Sequence, residues 1–372
     1  MSSKNLEVTK IVNEACKAHQ SLSSAALAKI VYAKNKDLFK NSESVRCLIR
    51  YRRGASGPAN RAKKQTQSQS QPATCGRDPS PDFVVNPPKP AMVDIQALIK
   101  RRVGQYDVKH EASESRRMIR VDVNVTGPFA VAHFGDPHLD DDGTDLARIK
   151  RHVEIIKKTP AMFAGNVGDT TNNWIGRLAH LWAKQSVNSV ESWALAKWLF
   201  TELRWLYIIG GNHDAWSGDR DPLEWIAGQQ GLLYEMHGAR LNLVTPNGRA
   251  FRINARHDFK GHSMWNTAHG AAKAVQMGWR DHVLTCGHTH VSGYQMLKDP
   301  ASGLISHCLR VASYKVHDDY ALANGFPDQR IFDCPVTIFN PQYADDDTRC
   351  VTFLPDPEHA ASYLTWLRKK SH

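Results

Sequence analysis

Five short blocks of aspartate, asparagine and histidine punctuate the chain, and each follows an apolar run that reads as a β-strand. Gly135-Asp136-Pro137-His138 follows FAVAHF, and Gly168-Asp169-Thr170-Thr171-Asn172 follows AMFAG. Gly210-Gly211-Asn212-His213-Asp214 follows LYII, His257 follows FRINAR, and Gly287-His288-Thr289-His290 follows HVLTC. One block alone says little, because a single GD or HxH recurs by chance and a lone histidine is usually a satisfied structural residue. Five in succession constrain the fold strongly. Open α/β sheets bind ligands at the carboxyl ends of their strands, so five blocks at five strand ends place the ligand residues at one edge of an α/β domain.

The intervening pattern agrees. Residues 145–158 carry Leu146, Ile149, Val153 and Ile156 at helical spacing. Residues 177–203 read as one long helix, with Trp182, Trp193 and Trp198 on its core side, and a further helix is expected near 267–278. MIRVDVNV and FAVAHF, separated by Thr126-Gly127-Pro128, read as a hairpin. In residues 300–372, SYKVHDDYALANGF and the strand CVTFLP suggest a cap or a completion of the sheet, with structural roles for Tyr314, Lys315 and His317 and contact with substrate as the alternative. Asp140-Asp141-Asp142 reads as a solvated acidic loop.

Charge divides the 372 residues unevenly. Residues 1–120 hold 23 basic and 10 acidic side chains, and residues 121–372 hold 25 and 27, so the net +11 comes from the first third. A basic segment beside a near-neutral one suits a polyanionic partner. Residues 1–53 read as a helical module. Ser23 and Ser24 precede Leu27, Ile30, Val31 and Lys34, and Ser42-Glu43-Ser44 precedes Val45, Leu48 and Ile49. Arg46, Arg50, Arg52 and Arg53 make the second helix cationic, as in a helix-turn-helix that contacts nucleic acid, with a small protein-docking element as the alternative. Residues 54–114 read as a flexible basic linker, rich in Gly, Pro, Ser and Gln, with a short helix over 91–104. Residues 115–372 are then the domain that carries the blocks.

No apolar run approaches the roughly 18–20 residues that span a bilayer, and the start MSSKNLEVTK lacks the apolar core of a secretory signal. Seven widely spaced cysteines without a CxxC pair fit a reducing cytoplasm and argue against a thiolate zinc site.

Carboxylate, carboxamide and imidazole without thiolate suit borderline divalent ions, Mn²⁺ first, with Fe²⁺, Zn²⁺ or Ni²⁺ as alternatives. Two such ions about 3.5–4 Å apart form a clamp for displacement at phosphorus, provided a bridging aspartate and hydroxide offset their repulsion. The set of blocks resembles the calcineurin-like metallophosphoesterase superfamily, whose pattern is DxH, GDxx(D/N), GNH(D/E), H and GHxH, over roughly residues 118–295. The resemblance implies a β-sandwich flanked by helices. It implies that Asp136, His138, Asp169 and His290 hold one metal, and that Asp169, Asn212, His257 and His288 hold a second, with Asp169 shared. His262 and His269 compete with His257 on sequence grounds, because that block is only a histidine after a strand. His213 is the implied acid at the leaving oxygen, oriented by Asp214, and Asn172 occupies the D/N position with Asn173 as the alternative.

The branch is narrower. Phosphoprotein phosphatases resemble one another in GDxVDRG and RGNHE, whereas this chain has GDTTNNW and GGNHDAW and lacks the arginines that grip a phosphomonoester dianion. GNHD and the DxHLD form look more like the phosphodiesterase and DNA-repair-nuclease branches. Trp174, Trp216 and Trp265 lie beside the blocks, where aromatic rings could stack nucleobases. The expected function is a two-metal phosphodiesterase acting on nucleic acid, DNA first, through a metal-bridging hydroxide. A phosphomonoesterase or small-nucleotide hydrolase and a non-catalytic DNA-binding scaffold are the alternatives.

Overall fold

A computed structural model describes residues 3–55, 93–217, 221–325 and 328–370. The chain divides into two compact units, Met1–Met92 and Val93–His372.

In the first unit three helices, α1 (Ser3–Ala18), α2 (Ser24–Lys34) and α3 (Ser42–Arg52), close over Val12, Leu27, Val31, Phe39, Val45 and Ile49. Ser23 caps α2, its side chain accepting from the amide of Ala26. The cap of α3 is Asn41, in a reciprocal box with Ser44, rather than the Ser42-Glu43-Ser44 run. Ile30 and Leu48, expected on the apolar faces, are exposed. Arg53 corrects the expected set of nucleic-acid contacts: its guanidinium donates to the carbonyls of Leu22 and His19 and so closes the helical unit. Arg46 pairs with Glu43, and Arg50 and Arg52 face solvent. Most of the expected flexible linker lies outside the described residues.

The second unit is α/β. Its strands are β1 (Ile119–Asp122), β2 (Phe129–Phe134), β3 (Met162–Asn166), β4 (Trp205–Gly210), β5 (Tyr234–Met236), β6 (Gly238–Val244), β7 (Ala250–Arg256), β8 (Val283–Cys286), β9 (Gly293–Lys298), β10 (Ile305–Arg310), β11 (Val336–Phe339) and β12 (Val351–Leu354). They form two six-stranded sheets, in the orders β1-β6-β7-β8-β10-β9 and β12-β11-β2-β3-β4-β5. Neighbours β2, β3 and β4 run parallel in one sheet, and β7 and β8 run parallel in the other.

The sheets pack face to face through one apolar layer. Phe129, Val131, Tyr207 and Ile209 meet Leu241, Leu243, Phe251, Ile253 and Ala255. The alternation in β6 and β7 sends these residues inward, while Arg240, Arg252 and Arg256 project from the other face. The outer face of the β2 sheet buries a second core against α5 (Leu146–Lys158), α6 (Ser189–Glu202), α7 (Pro222–Gln229) and α9 (Pro357–Lys370). The outer face of the β8 sheet packs on α8 (His269–Gln276). The architecture is a β-sandwich flanked by helices, as the resemblance implies.

Several local expectations are corrected. β1 and β2 form no hairpin: β1 pairs with β6 in one sheet and β2 with β3 and β11 in the other. The stretch 177–203 is broken, with a 3₁₀ helix over Gly176–Lys184 and α6 restarting behind the Asn188 cap. The short helix of 91–104 is the 21-residue α4 (Ile95–Ser115), capped by Asp94. The C-terminal region completes the sheet: β11 adds antiparallel to β2, β12 borders β11, and α9 packs beneath. No helix among the described residues is long and apolar enough to cross a membrane, and the six described cysteines are free thiols.

Candidate metal centre

The parallel strands explain how distant blocks meet. The loops leaving β2, β3 and β4 carry Asp136, His138, Asp169, Asn212 and His213. Those leaving β7 and β8 carry His257, His288 and His290. Every expected ligand contributes to one constellation around Asp169.

Oδ2 of Asp169 lies 3.3 Å from Nε2 of His257, 3.9 Å from Nε2 of His213 and 4.0 Å from Nε2 of His138. Two groups with metal-ligand spacing share that carboxylate, one with His138 and His213, the other with His257 and His288. His290 joins the first: its Nε2 is 3.2 Å from Nε2 of His138 and 3.8 Å from Oδ2 of Asp136. Asn212 joins the second, with Oδ1 2.8 Å from Nε2 of His257. His262 and His269 do not take the place of His257; His262 is exposed and His269 heads α8.

Hydrogen bonds decide which lone pairs face inward. Nδ1 of His257 donates to the Val167 carbonyl at 3.0 Å. In the neutral ring its Nε2 is then a lone pair, directed at Asn212 Oδ1, Asp169 Oδ2 and His288 Nδ1, the last at 3.1 Å. The Asn212 and Asp169 oxygens thus converge on Nε2, at a point that suits a positive charge, either the ring's own second proton or a cation that replaces it. Asp136 adds to the case: Oδ2 accepts from the His288 amide at 2.5 Å, while Oδ1 is buried with no hydrogen-bond partner. A buried orphan oxygen beside imidazoles, with no thiolate in the set, fits a divalent ion with O/N preference.

The two buried carboxylates set the electrostatics and favour positive charge between them. Burial pushes Asp136 up to about 6 against the pull of His257 and His290. Burial also acts to raise Asp169, but the facing imidazoles of His257, His213 and His138 outweigh it and hold the carboxyl far below its usual range. For His257 burial acts downward, yet Asp169 and Asp136 raise it to about 10. Burial keeps His138 neutral, well below its ordinary value, and lowers His288.

The backbone is shaped around these side chains. Asp136, His138, Asp169, His288 and His290 all have positive φ, between 28° and 71°. Such residues cost of order 1–3 kcal/mol each and persist where surrounding structure over-determines them. Two glycines clear the space. A Cβ on Gly211 would strike Oδ1 of Asp169, and one on Gly287 would strike both oxygens of Asp136.

Asp214 differs from its expected role. It is fully buried, and its Oδ2 accepts from the amides of Gly211 at 2.7 Å and Asp169 at 3.1 Å. His213 is oriented instead by Asn172, whose carbonyl accepts from Nδ1 at 2.7 Å. The Asn172 side chain is also structural, donating to Asp141 at 3.1 Å. The acidic run is no solvated loop. Asp140 accepts from the Asn172 amide and from Ser192, Asp141 pairs with Lys315 at 3.0 Å, and only Asp142 is exposed. Asn173 donates to the His213 carbonyl and to Ser217. Sequence reasoning missed the Asn172 carbonyl and the partner of Lys315, because a backbone acceptor and a pair 174 residues apart leave no local signature.

The tryptophans separate. Trp216 lies against His213, ring centroids 4.2 Å apart, and is 37% exposed. Trp174 is buried against Trp182, ring centroids 5.4 Å apart. Trp265 is 93% exposed and makes no ring contact among the described residues. Trp193 and Trp198 pack on the core as expected.

A further cluster of His282, Asp345 and Cys350 has ligand spacing but not ligand chemistry. The Arg252 amide donates to Nδ1 of His282, so Nε2 carries the proton it donates to Asp345 at 2.9 Å. The Arg249 guanidinium bonds the same carboxylate and reaches Cys350.

No family model and no curated protein matches the sequence. Among solved structures, Vps29 of Entamoeba histolytica complexed with zinc is 14% identical, covering 61% of this chain and 97% of that one at a TM-score of 0.30. A structure described as a "putative diadenosine tetraphosphatase" is 14% identical over 64% and 97%, at 0.28. At these scores neither likeness carries an argument about this chain.

Proposed function

We propose that the chain is a two-metal phosphoesterase of the calcineurin-like kind, and that it cleaves phosphodiesters in nucleic acid, DNA first. The observation that carries the reading is the Asp169 carboxylate common to two groups of ligand atoms. Asp136, His138, Asp169 and His290 would hold one divalent ion, and Asp169, Asn212, His257 and His288 the other, with Mn²⁺ the first candidate. Bound ions would polarise phosphoryl oxygens and make a coordinated water acidic near neutral pH.

The remaining work falls to the chain's own groups. The Asn172 carbonyl holds the Nδ1 proton of His213, so Nε2 is the edge turned toward Asp169. A protonated Nε2 is placed to donate to the oxygen that leaves phosphorus. Trp216 packs on the same imidazole and offers a half-exposed face at that side. Asp214 holds the Gly211 and Asp169 amides and so fixes the loops that present the ligands.

The diester preference is supported by the ligand blocks, which contain no arginine to grip a monoester dianion. The nucleic-acid preference is supported by the basic first third and by the solvent-facing Arg50 and Arg52 on α3. Mn²⁺-supported hydrolysis of bis-p-nitrophenyl phosphate, compared with p-nitrophenyl phosphate, tests the reading. A preference for the diester, lost in His213→Ala, is expected. A strong preference for the monoester contradicts the diesterase assignment, and absence of turnover on both contradicts the enzyme.

A further inference from the structure

Arg310 ends β10 and pairs in register with Cys286, the residue before the Gly287–His290 turn. Only 2% of its surface is exposed. Its guanidinium donates four hydrogen bonds. Nε reaches the Thr267 carbonyl at 2.8 Å, Nη1 reaches the Gly287 carbonyl at 2.7 Å and Thr289 Oγ1 at 3.0 Å, and Nη2 reaches Asp258 at 2.9 Å. These acceptors lie on three segments. Asp258 directly follows His257, Gly287 and Thr289 flank His288, and Thr267 lies in the loop entering α8. Asp258 also supplies the opposite charge that a buried guanidinium requires.

The turn that Arg310 holds is strained. His288 and His290 have φ of 71° and 55°. The Gly287 carbonyl already accepts from the Thr289 amide, and Arg310 adds a second donor. On the other side the His288 amide is anchored on Asp136. The turn is thus fixed from two directions, by the Asp136 carboxylate and by Arg310, whose four hydrogen bonds go to groups other than the expected ligand side chains.

We propose that Arg310 is a positioning residue for the second ion: it sets the separation of His257 and His288 before an ion binds, by joining both loops to one rigid fork. The proposal rests on the reading of His257, His288, Asn212 and Asp169 as metal ligands. A planar guanidinium with fixed donor directions can serve four acceptors at once. A lysine ammonium keeps the charge but has three donors at one point and no fork.

The test uses the full chain stripped of metal, as wild type and as Arg310→Lys, titrated with Co²⁺. Affinity is read by calorimetry and coordination by the visible ligand-field spectrum, with near-ultraviolet circular dichroism as the check on folding. The expected result is a folded R310K in which one equivalent, the one also lost in Asn212→Ala, binds about 10–100-fold more weakly with an altered spectrum. Equal affinities and spectra in the two folded proteins overturn the proposal. Should R310K not fold, Thr289→Val removes one acceptor of the fork. A weaker second equivalent in T289V supports the proposal, and wild-type affinity overturns it. Wild-type protein that takes up no Co²⁺ overturns the metal-site reading and this proposal with it, whereas a fully loaded R310K overturns this proposal alone.

Discussion

Nε2 of His257 stands 3.3 Å from Oδ2 of Asp169, and this contact joins the two halves of the centre, because the same oxygen faces His138 and His213. One sheet brings Asp169 and the other brings His257. The site therefore exists only where the two sheets meet at their carboxyl ends.

Gly287 is expected to be irreplaceable by even a methyl group. An alanine Cβ would overlap both oxygens of Asp136, so either the carboxylate or the Gly287–His290 turn must shift. Overpacking of this kind costs about 1–3 kcal/mol, and here the cost falls on a ligand. Gly287→Ala should fold and lose most of its bound metal, measured by mass spectrometry after gel filtration. Wild-type metal content in G287A would show that the close approach is unimportant.

His213 separates chemistry from metal binding. Its Nδ1 is held by the Asn172 carbonyl and its ring lies against Trp216. His213→Gln should retain both ions while kcat on a diester falls by about 10²–10⁴-fold. Unchanged kcat would remove His213 from the mechanism.

Histidines outside the centre should add to the acid sensitivity that Asp169, His138 and His288 confer within it. His133 is buried between Tyr207 and Thr337, and burial lowers it to about 3. His307 bonds Tyr294, and burial, then His282, lowers it to about 4. Both pKa values lie below the unfolded value of about 6.5. The unfolded chain therefore binds more protons below that pH, and each group removes stability as pH falls from about 6.5, at up to about 1.4 kcal/mol per unit. Chemical denaturation of His133→Gln across pH 4–7 should give a shallower pH slope than wild type by about one proton. An identical slope would show that His133 is not held neutral in the fold.

The fold was legible where periodicity is local. The apolar faces of α5 and of β2, β3, β4, β7 and β8 could be read residue by residue, and with them the strand ends that carry the ligands. Pairing was not legible. Thr126-Gly127-Pro128 is good turn chemistry, but the chain uses it to cross from one sheet to the other. Polar residues buried by distant partners were misread for the same reason. Asp140 reads as solvated until Ser192 and the Asn172 amide are brought against it, and Asp214 reads as a histidine partner until two backbone amides claim it.

Arg50 and Arg52 test the nucleic-acid proposal without disturbing the centre. Both face solvent on α3, unlike Arg53. Arg50→Ala with Arg52→Ala should weaken duplex DNA binding and flatten the dependence of log Kd on log salt by about 1–2 units, measured by fluorescence anisotropy. Equal binding by the double variant would exclude this helix as the contact.

The most direct measurement is electron paramagnetic resonance of the metal-free chain titrated with Mn²⁺. The account predicts two ions per chain with an exchange-coupled spectrum, and loss of the coupling in Asp169→Asn. Uptake of a single uncoupled ion, or of none, would contradict it.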